Sequence, residues 1–105
     1  MTEEQKNKQD LFESVRLWAD EKGITEKATL YTQFTKLIEE VGELSEAIQK
    51  NNDSLFTDAI GDSMVVLIIL AQLKGFKAED CLQIAYDIIK ERKGKMIDGT
   101  FVKEN

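Results

Sequence analysis

The segment spanning residues 55–74 restricts the possible folds of this chain more than any other part of the sequence. Its centre, residues 64–71, is an unbroken apolar run, and a length of about 20 residues favours a helix over a strand. A helix that is apolar nearly all round needs neighbours on every side. It nevertheless keeps Asp58 and Asp62, although burying an unpaired carboxylate is costly or shifts its pKa. We therefore expect a packed helix whose acids have a specific partner.

The rest of the chain predicts an all-α, four-helix, bundle-like fold in a single domain of 105 residues. Proline is absent, and apolar spacing predicts helices at residues 10–22, 32–50, 55–74 and 78–94. Asp53 or Ser54 is the expected N-cap of the third helix. The tail, residues 95–105, is expected to be irregular and to pack back on the body through its apolar side chains. A core stripe is expected on each outer helix; these stripes contain Leu11, Val15 and Trp18 in the first and Leu82, Ala85, Ile88 and Ile89 in the fourth.

Composition excludes several functional classes. The net charge of −6, from 20 acidic and 14 basic residues, argues against a general nucleic-acid binder. The absence of histidine excludes histidine-dependent triads and imidazole metal sites. The single cysteine, Cys81, cannot form an internal disulfide and is expected in the core. The polar N-terminus and the shortness of the apolar run favour a cytoplasmic protein that does not contact a membrane.

The second predicted helix combines an apolar stripe with several acids. At about 100° per residue, the stripe centres on Val41 and Ile48, which are expected to be buried. Glu39 and Glu43 point away from this stripe. Glu40 lies at its border, one turn from Glu43, so that both carboxylates can reach one cation.

A short turn at residues 51–54 predicts that the second and third helices pack antiparallel. Glu43 and Asp58 then lie at similar heights, and Glu40 and Asp62 lie one turn further from the turn. Four carboxylates would converge between the helices. Oxygen ligands of this kind suit Mg²⁺, with Mn²⁺ as a possible substitute.

The acidic residues and the helix that follows resemble the MazG-like nucleoside triphosphate pyrophosphohydrolases, of the all-α NTP pyrophosphatase group. The resemblance covers roughly residues 34–71 and is carried by the stretches 39–44 (EEVGEL), 60–62 (IGD) and 65–67 (VVL); the tail, residues 91–102, is also similar to small members. The family pattern is EExxE followed by ExxD. This chain has Ala59 where the pattern has its second glutamate, and Asp58 is the nearest carboxylate.

The resemblance implies metal-dependent hydrolysis of a nucleoside triphosphate to the monophosphate and pyrophosphate. It implies Glu40, Glu43 and Asp62 as metal ligands; either Asp58 is the fourth, in place of the absent glutamate, or the site has one ligand fewer. It also implies Glu39 or Glu43 as the residue that orients the attacking water. The basic run is expected to contact the outer phosphates; it comprises Lys90, Arg92, Lys93 and Lys95. Recognition of the base is expected from Trp18, Gln33 or Phe34.

Two other functions are consistent with the same residues. One is a nucleotide-binding or regulatory protein with weak catalysis, because Ala59 removes a carboxylate. The other is a structural helical adaptor in which the acids form a solvated face. In each case the apolar third helix predicts a homodimer or homotetramer.

Overall fold

The computed structural model describes residues 2–4 and 11–104, and they form a mostly helical protein. Its elements in chain order are α1 (Leu11–Glu21), α2 (Ile24–Lys27), α3 (Leu30–Lys50), α4 (Asp53–Leu73), α5 (Ala78–Ile89), β1 (Gly94–Ile97) and β2 (Thr100–Lys103). The four long helices confirm the helical part of the sequence prediction. Asp10, the predicted first residue of the first helix, lies outside the described residues.

Local capping sets the start of the two central helices. The Thr29 hydroxyl accepts a hydrogen bond from the Thr32 N–H (3.1 Å), and the Thr32 hydroxyl accepts one from the Thr29 N–H (2.9 Å), so α3 begins with a reciprocal cap. In α4 the cap is Asn52, whose Oδ1 accepts from the Leu55 N–H (3.1 Å). The prediction of Asp53 or Ser54 as the cap was therefore wrong by one or two positions.

Helix α4 is the central element. It packs antiparallel against α3 after the turn at residues 51 and 52, and α1 and α5 also contact it. The small core consists mainly of α4 side chains with alanines from α1 and α3; its buried apolar members among the described residues are Ala19, Ala47, Ala59, Val66, Ile68 and Ile69.

Helix α4 is also long and apolar enough to cross a membrane, the one such helix in the part of the chain that is described. A core helix of a soluble protein has the same length and composition. The sequence argument considered only the short apolar run, whereas the helix around it has 21 residues. Asp58 and Asp62 interrupt its apolar surface, which is the feature that matters for the site.

The C-terminal segment differs from the expected irregular tail. Helix α5 ends at Ile89 and not at Gly94, and β1 and β2 form an antiparallel hairpin in which Met96 pairs with Phe101. Asp98 and Gly99 form its two-residue turn with φ of 48° and 79°, the conformation that Asp-Gly favours in hairpins. The apolar side chains of the hairpin are exposed, so the prediction that they pack on the body was wrong.

Several predicted core positions are exposed in the single chain. On α3, Val41 is 51% and Ile48 is 63% exposed, because α3 faces α4 through a different stripe. Leu11, Trp18 and the large apolar residues of α5 are also exposed, as is Cys81. Cys81 lines an apolar cavity of about 370 Å³ between α1, α4 and α5. The chain alone therefore leaves much of its apolar surface uncovered.

Candidate active site

The site is centred on Glu40, a buried carboxylate of α3. The face of α3 that meets α4 includes Glu40 and Ala47, which are two turns apart and are the two buried residues of this helix. Glu40 is 8% exposed, and its Oε2 atom is buried with no hydrogen-bond partner among the residues that the structure describes. Buried carboxylates are normally paired or bound to a metal ion. Its position points to a cationic ligand.

The surroundings of Glu40 oppose its negative charge. Burial is the largest cause that raises the pKa of this carboxyl above its usual value, and the charges of Glu43 and Asp62 raise it further. A hydrogen bond between the Glu40 and Glu43 side chains acts in the same direction, and the positive charge of Lys36 acts against it. Three acids from two helices thus act on one another, as the antiparallel packing predicts.

The fourth predicted carboxylate does not join this group. Asp58, Asp62 and Glu43 are all exposed, but Asp58 alone of the three is not among the charges that act on Glu40. Within the described residues, no three acidic or thiol side chains converge closely enough to hold a metal ion as they stand. The predicted convergence of four carboxylates is therefore wrong for this arrangement; the charge-coupled group is Glu40 with Glu43 and Asp62.

Ala59 explains part of this difference. It is 0% exposed on the face of α4 that packs against its neighbours, so the position that carries a glutamate in the expected pattern holds a methyl group within the core. A glutamate at this position would have to displace the packed helices. Asp58, one residue earlier, lies on a different face of α4 because each residue advances about 100° around a helix.

A cleft beside Asp62 provides an apolar wall. It has a volume of about 330 Å³ and is lined by residues of α1 and α4, namely Ser14, Val15, Trp18, Asp62 and Val65. The cleft brings the indole of Trp18 to the same side of α4 as an acid of the site. Flat aromatic and branched apolar groups next to a charged group suit a nucleobase attached to phosphates.

The other two residues predicted to recognise the base lie apart from this cleft. Gln33 is on the α4-facing side of α3, seven residues before Glu40, and its Oε1 atom is buried without a hydrogen-bond partner. Seven residues correspond to about 10 Å along a helix. Phe34 is 54% exposed on the outer stripe of α3, so the described contacts do not bring it to the cleft.

The predicted basic run follows α5 and is not joined to the acids by an ion pair among the described residues. The Lys90 Nζ atom is 3.2 Å from Asp87 Oδ1 and lies 5.9 Å from the centre of the Tyr86 ring. Arg92, Lys93 and Lys95 are exposed at the base of the hairpin. Glu39 and Glu43, the predicted residues for water activation, are exposed on α3.

Ser63 is a residue that the sequence reasoning missed. Its hydroxyl is buried and has no hydrogen-bond partner, and it follows Asp62 directly. The available signal was its spacing: Ser63 lies one turn after Ala59, on the face of α4 that is buried. Like the Oε2 atom of Glu40, the Ser63 hydroxyl is therefore a buried polar group without a hydrogen-bond partner among the described residues, and it lies on α4, the helix that carries Asp62.

Comparison with known proteins identifies the family of this chain. The family model of the MazG nucleotide pyrophosphohydrolase domain matches residues 28–97, a span that includes Glu40, Glu43 and Asp62. The chain belongs to the MazG nucleotide pyrophosphohydrolase family. This confirms the resemblance that was identified from the acidic motifs.

A phage protein is similar to this MazG-family chain. It is described as an uncharacterized 18.2 kDa protein in the rep-hol intergenic region of Haemophilus phage HP1, and it is 41% identical over 64 residues. The match covers 61% of this chain and 39% of the phage protein. No solved structure matches the chain.

The MazG match begins two residues before α3 and ends with β1. It therefore contains the three coupled acids and the basic run, whereas α1 and its Trp18 lie outside it. The acidic part of the site belongs to the family domain, and the apolar wall of the cleft is supplied by the segment that precedes it.

Proposed function

We propose that this protein is a metal-dependent hydrolase of nucleoside triphosphates, either ribo- or deoxyribonucleotides, that cleaves between the α- and β-phosphates. The products are the nucleoside monophosphate and pyrophosphate. The observation that carries the proposal is the buried, unpartnered Oε2 atom of Glu40 beside two further acids, in a chain that belongs to the MazG family.

The donor set fits a hard divalent cation. Glu40, Glu43 and Asp62 offer only oxygen atoms, the ligands that Mg²⁺ and Mn²⁺ prefer, and a cation would remove the electrostatic cost that burial imposes on Glu40. When bound, Mg²⁺ would neutralise phosphate charge and lower the pKa of a bound water.

The chain itself would position the reactants. Glu39 or Glu43, both exposed, would accept a proton from the attacking water and orient it toward the α-phosphorus. Trp18, Val15 and Val65 would hold the base in the cleft beside Asp62 and exclude water from it. No side-chain nucleophile is required, because phosphoryl transfer depends mainly on positioning and charge neutralisation.

We also propose that the active form is a homo-oligomer in the cytoplasm. The radius of gyration is 16.5 Å, whereas a compact chain of this length has about 13 Å. Large apolar residues on the outer sides of α3, α4 and α5 are exposed. Association with further copies would cover them and would place the apolar α4 inside an assembly, without a membrane.

A release assay for pyrophosphate tests the proposal. Purified protein is incubated with each common NTP and dNTP, with Mg²⁺, with Mn²⁺ and with a chelator. We expect release with metal only, and we expect Glu40→Gln and Asp62→Asn each to reduce it at least about 100-fold, since even outer-shell changes at metal sites cost 10–100-fold.

Glu26→Gln is the matched control. Glu26 is exposed on α2, away from the three coupled acids, so its replacement should leave the rate unchanged. Lack of turnover on every nucleotide with both metals would contradict the proposal, and so would full activity of Glu40→Gln.

A second candidate is a nucleotide-binding protein with weak catalysis. The buried methyl group of Ala59, in the place of a carboxylate, favours it. This candidate predicts that nucleotide and metal together raise the melting temperature while pyrophosphate stays at the blank level. The adaptor alternative, in which all the acids are solvated, does not agree with the burial of Glu40.

A further inference from the structure

The C-terminal hairpin is not stable by itself. An isolated pair of strands is marginal in water unless another element covers one of its faces. Here Met96 and Phe101 pair on one face while Ile97 and Val102 lie on the other, and all four are 44–64% exposed. The substantial contacts of the two strands are with each other. Among residues 2–4 and 11–104, no other element therefore covers the hairpin.

Close backbone packing shows that the hairpin is nevertheless a defined element. A Cβ atom on Gly94 would lie 2.3 Å from the Val102 carbonyl oxygen and 2.7 Å from Phe101 Cζ, so only glycine fits there. The Glu104 N–H also donates to the Lys93 carbonyl oxygen (2.7 Å), which extends the pairing to the segment that leaves α5. We call residues 92–103 the arm.

The arm is basic and apolar, in contrast with the rest of the protein. From Lys90 to the end, the chain has five lysine or arginine residues and three acidic residues, although the whole chain has a net charge of −6. A mostly acidic body thus carries a cationic, apolar extension. Charge complementarity of this kind selects the orientation in which two surfaces meet.

The outer half of α3 has the complementary character. Its exposed apolar stripe follows helical spacing and consists of Phe34, Ile38, Val41 and Ile48. Around the same outer half of the helix lie the exposed acids Glu39, Glu43 and Glu46. Gly42 lies between the stripe and the acids, and no atom comes within 4 Å of the position of its missing Cβ. A surface that approaches α3 here can contact both groups.

We propose that the arm of one copy of this chain lies across the outer half of α3 in a second copy and brings Lys93 and Lys95 to that copy's acidic site. The arm's apolar side chains cover the stripe, and its lysines bind the outer phosphates of the substrate. The assignment of the lysines to phosphates rests on the proposed function; the docking of the arm does not. Each site would then be incomplete in the single chain, which agrees with its expanded shape.

Subunit mixing tests the placement of the lysines. Glu40→Gln inactivates the acidic site but keeps the arm, and the double variant Lys93→Gln/Lys95→Gln keeps the acids but neutralises the arm. Glu40→Gln is expected to lose at least about 100-fold in rate. The double lysine variant is expected to lose at least about tenfold, because one lost charge-assisted contact is worth that factor. After subunit exchange, an equimolar mixture should recover about a quarter of wild-type activity, because half of the dimers are mixed and each has one complete site.

Lysines acting within their own chain would give no recovery in the mixture, and that result would overturn the proposal. So would wild-type activity of the double variant. Lys77→Gln is the matched control: Lys77 precedes α5, outside the arm, and its replacement should leave the rate unchanged.

Cross-linking tests the docking independently of turnover. In a Cys81→Ser background, Val41→Cys is introduced in one preparation and Phe101→Cys in another, and the two are mixed with a short bismaleimide. Cross-linked dimers should form in the mixture several times faster than with Gln83→Cys in place of Val41→Cys, since Gln83 is exposed but lies on α5, outside the stripe. Equal rates would overturn the docking of the arm, whether or not the protein turns over nucleotides.

Discussion

Two buried charges in this protein have opposite surroundings. Arg16 of α1 is 7% exposed and Glu40 of α3 is 8% exposed. Both Nη atoms of Arg16 donate to Glu79 of α5 (2.6 Å each), and Nε donates to Glu13 (3.0 Å). Glu40, in contrast, has an oxygen atom without a partner and two acids as neighbours. The difference separates a charge that joins helices from one that has no counter-charge paired with it among the described residues.

The pKa shifts follow this difference. The Arg16 guanidinium lowers the pKa of Glu79 from 4.5 to about 2, mainly through their hydrogen bond, and Glu79 raises the pKa of Arg16 in turn. Stability from this pair is full above pH 4.5 and is lost as the pH falls toward 2. The raised pKa of Glu40 acts in the opposite sense: its contribution is full in acid and is lost as the pH rises through the folded-state value.

The largest expected change in stability comes from replacing Arg16, which is paired with Glu79 and Glu13. Arg16→Met leaves Glu79 and Glu13 without their partner and releases the link between α1 and α5. We expect a loss of about 2 kcal/mol in the free energy of unfolding, below the 3–5 kcal/mol of fully buried pairs, because Glu79 is partly exposed. Urea unfolding at a fixed protein concentration measures this loss.

Lys50→Met is the control for Arg16→Met. It removes the exposed pair between Lys50 and Glu46, and a change below about 1 kcal/mol is expected because surface pairs contribute little. If the two variants lost the same amount, Arg16 would not be a structural link, and the contrast between the two buried charges would fail.

Replacement of Glu40 should raise the free energy of unfolding, whereas replacement of Arg16 should lower it. In the absence of metal, Glu40→Gln removes a buried charge beside two acids and should raise the free energy of unfolding by about 1–2 kcal/mol at neutral pH. The gain should shrink as the pH falls, because the raised pKa of Glu40 means that the wild-type carboxyl becomes protonated in the folded protein before it would in the unfolded chain. Thermal unfolding in a chelator, measured from pH 4.5 to 8, tests the sign and the trend.

Added Mn²⁺ sharpens this second test. It should raise the melting temperature of the wild type and leave that of Glu40→Gln unchanged, so that the order of the two proteins is reversed. If Glu40→Gln were less stable than the wild type in the absence of metal, Glu40 would stabilise the fold as Arg16 does. The proposed difference between the two buried charges would then be wrong.

Sequence reasoning predicted what depends on helical spacing. The four helices, the antiparallel pairing of α3 with α4, and the grouping of Glu40, Glu43 and Asp62 all follow from positions along a helix and a short turn. The Asp98-Gly99 turn, flanked by apolar residues on both sides, was an equally local signal for a hairpin, and it was not used.

Sequence reasoning failed where two faces of one helix are both apolar. The stripe through Val41 and Ile48 is more apolar than the stripe through Glu40 and Ala47, yet the second faces α4. Hydrophobicity alone predicts that a face will be covered, but it does not say whether by the same chain or by another. The ion pairs of Arg16 with Glu79 join residues 63 positions apart, a distance at which spacing carries no information.

The smallest expected effect concerns Gly61, which precedes Asp62 inside α4. No atom lies within 4 Å of the position of its missing Cβ, so within one chain the space for alanine is free. Gly61→Ala should therefore stabilise the protein by about 0.5–1 kcal/mol through helix propensity. If a substrate or a second copy approaches α4 here, the same methyl group should lower the rate of pyrophosphate release while the stability rises. If Gly61→Ala is more stable and equally active, neither the substrate nor a second copy comes close to this glycine. If the variant loses both stability and activity, the space beside Gly61 is already filled within the folded protein.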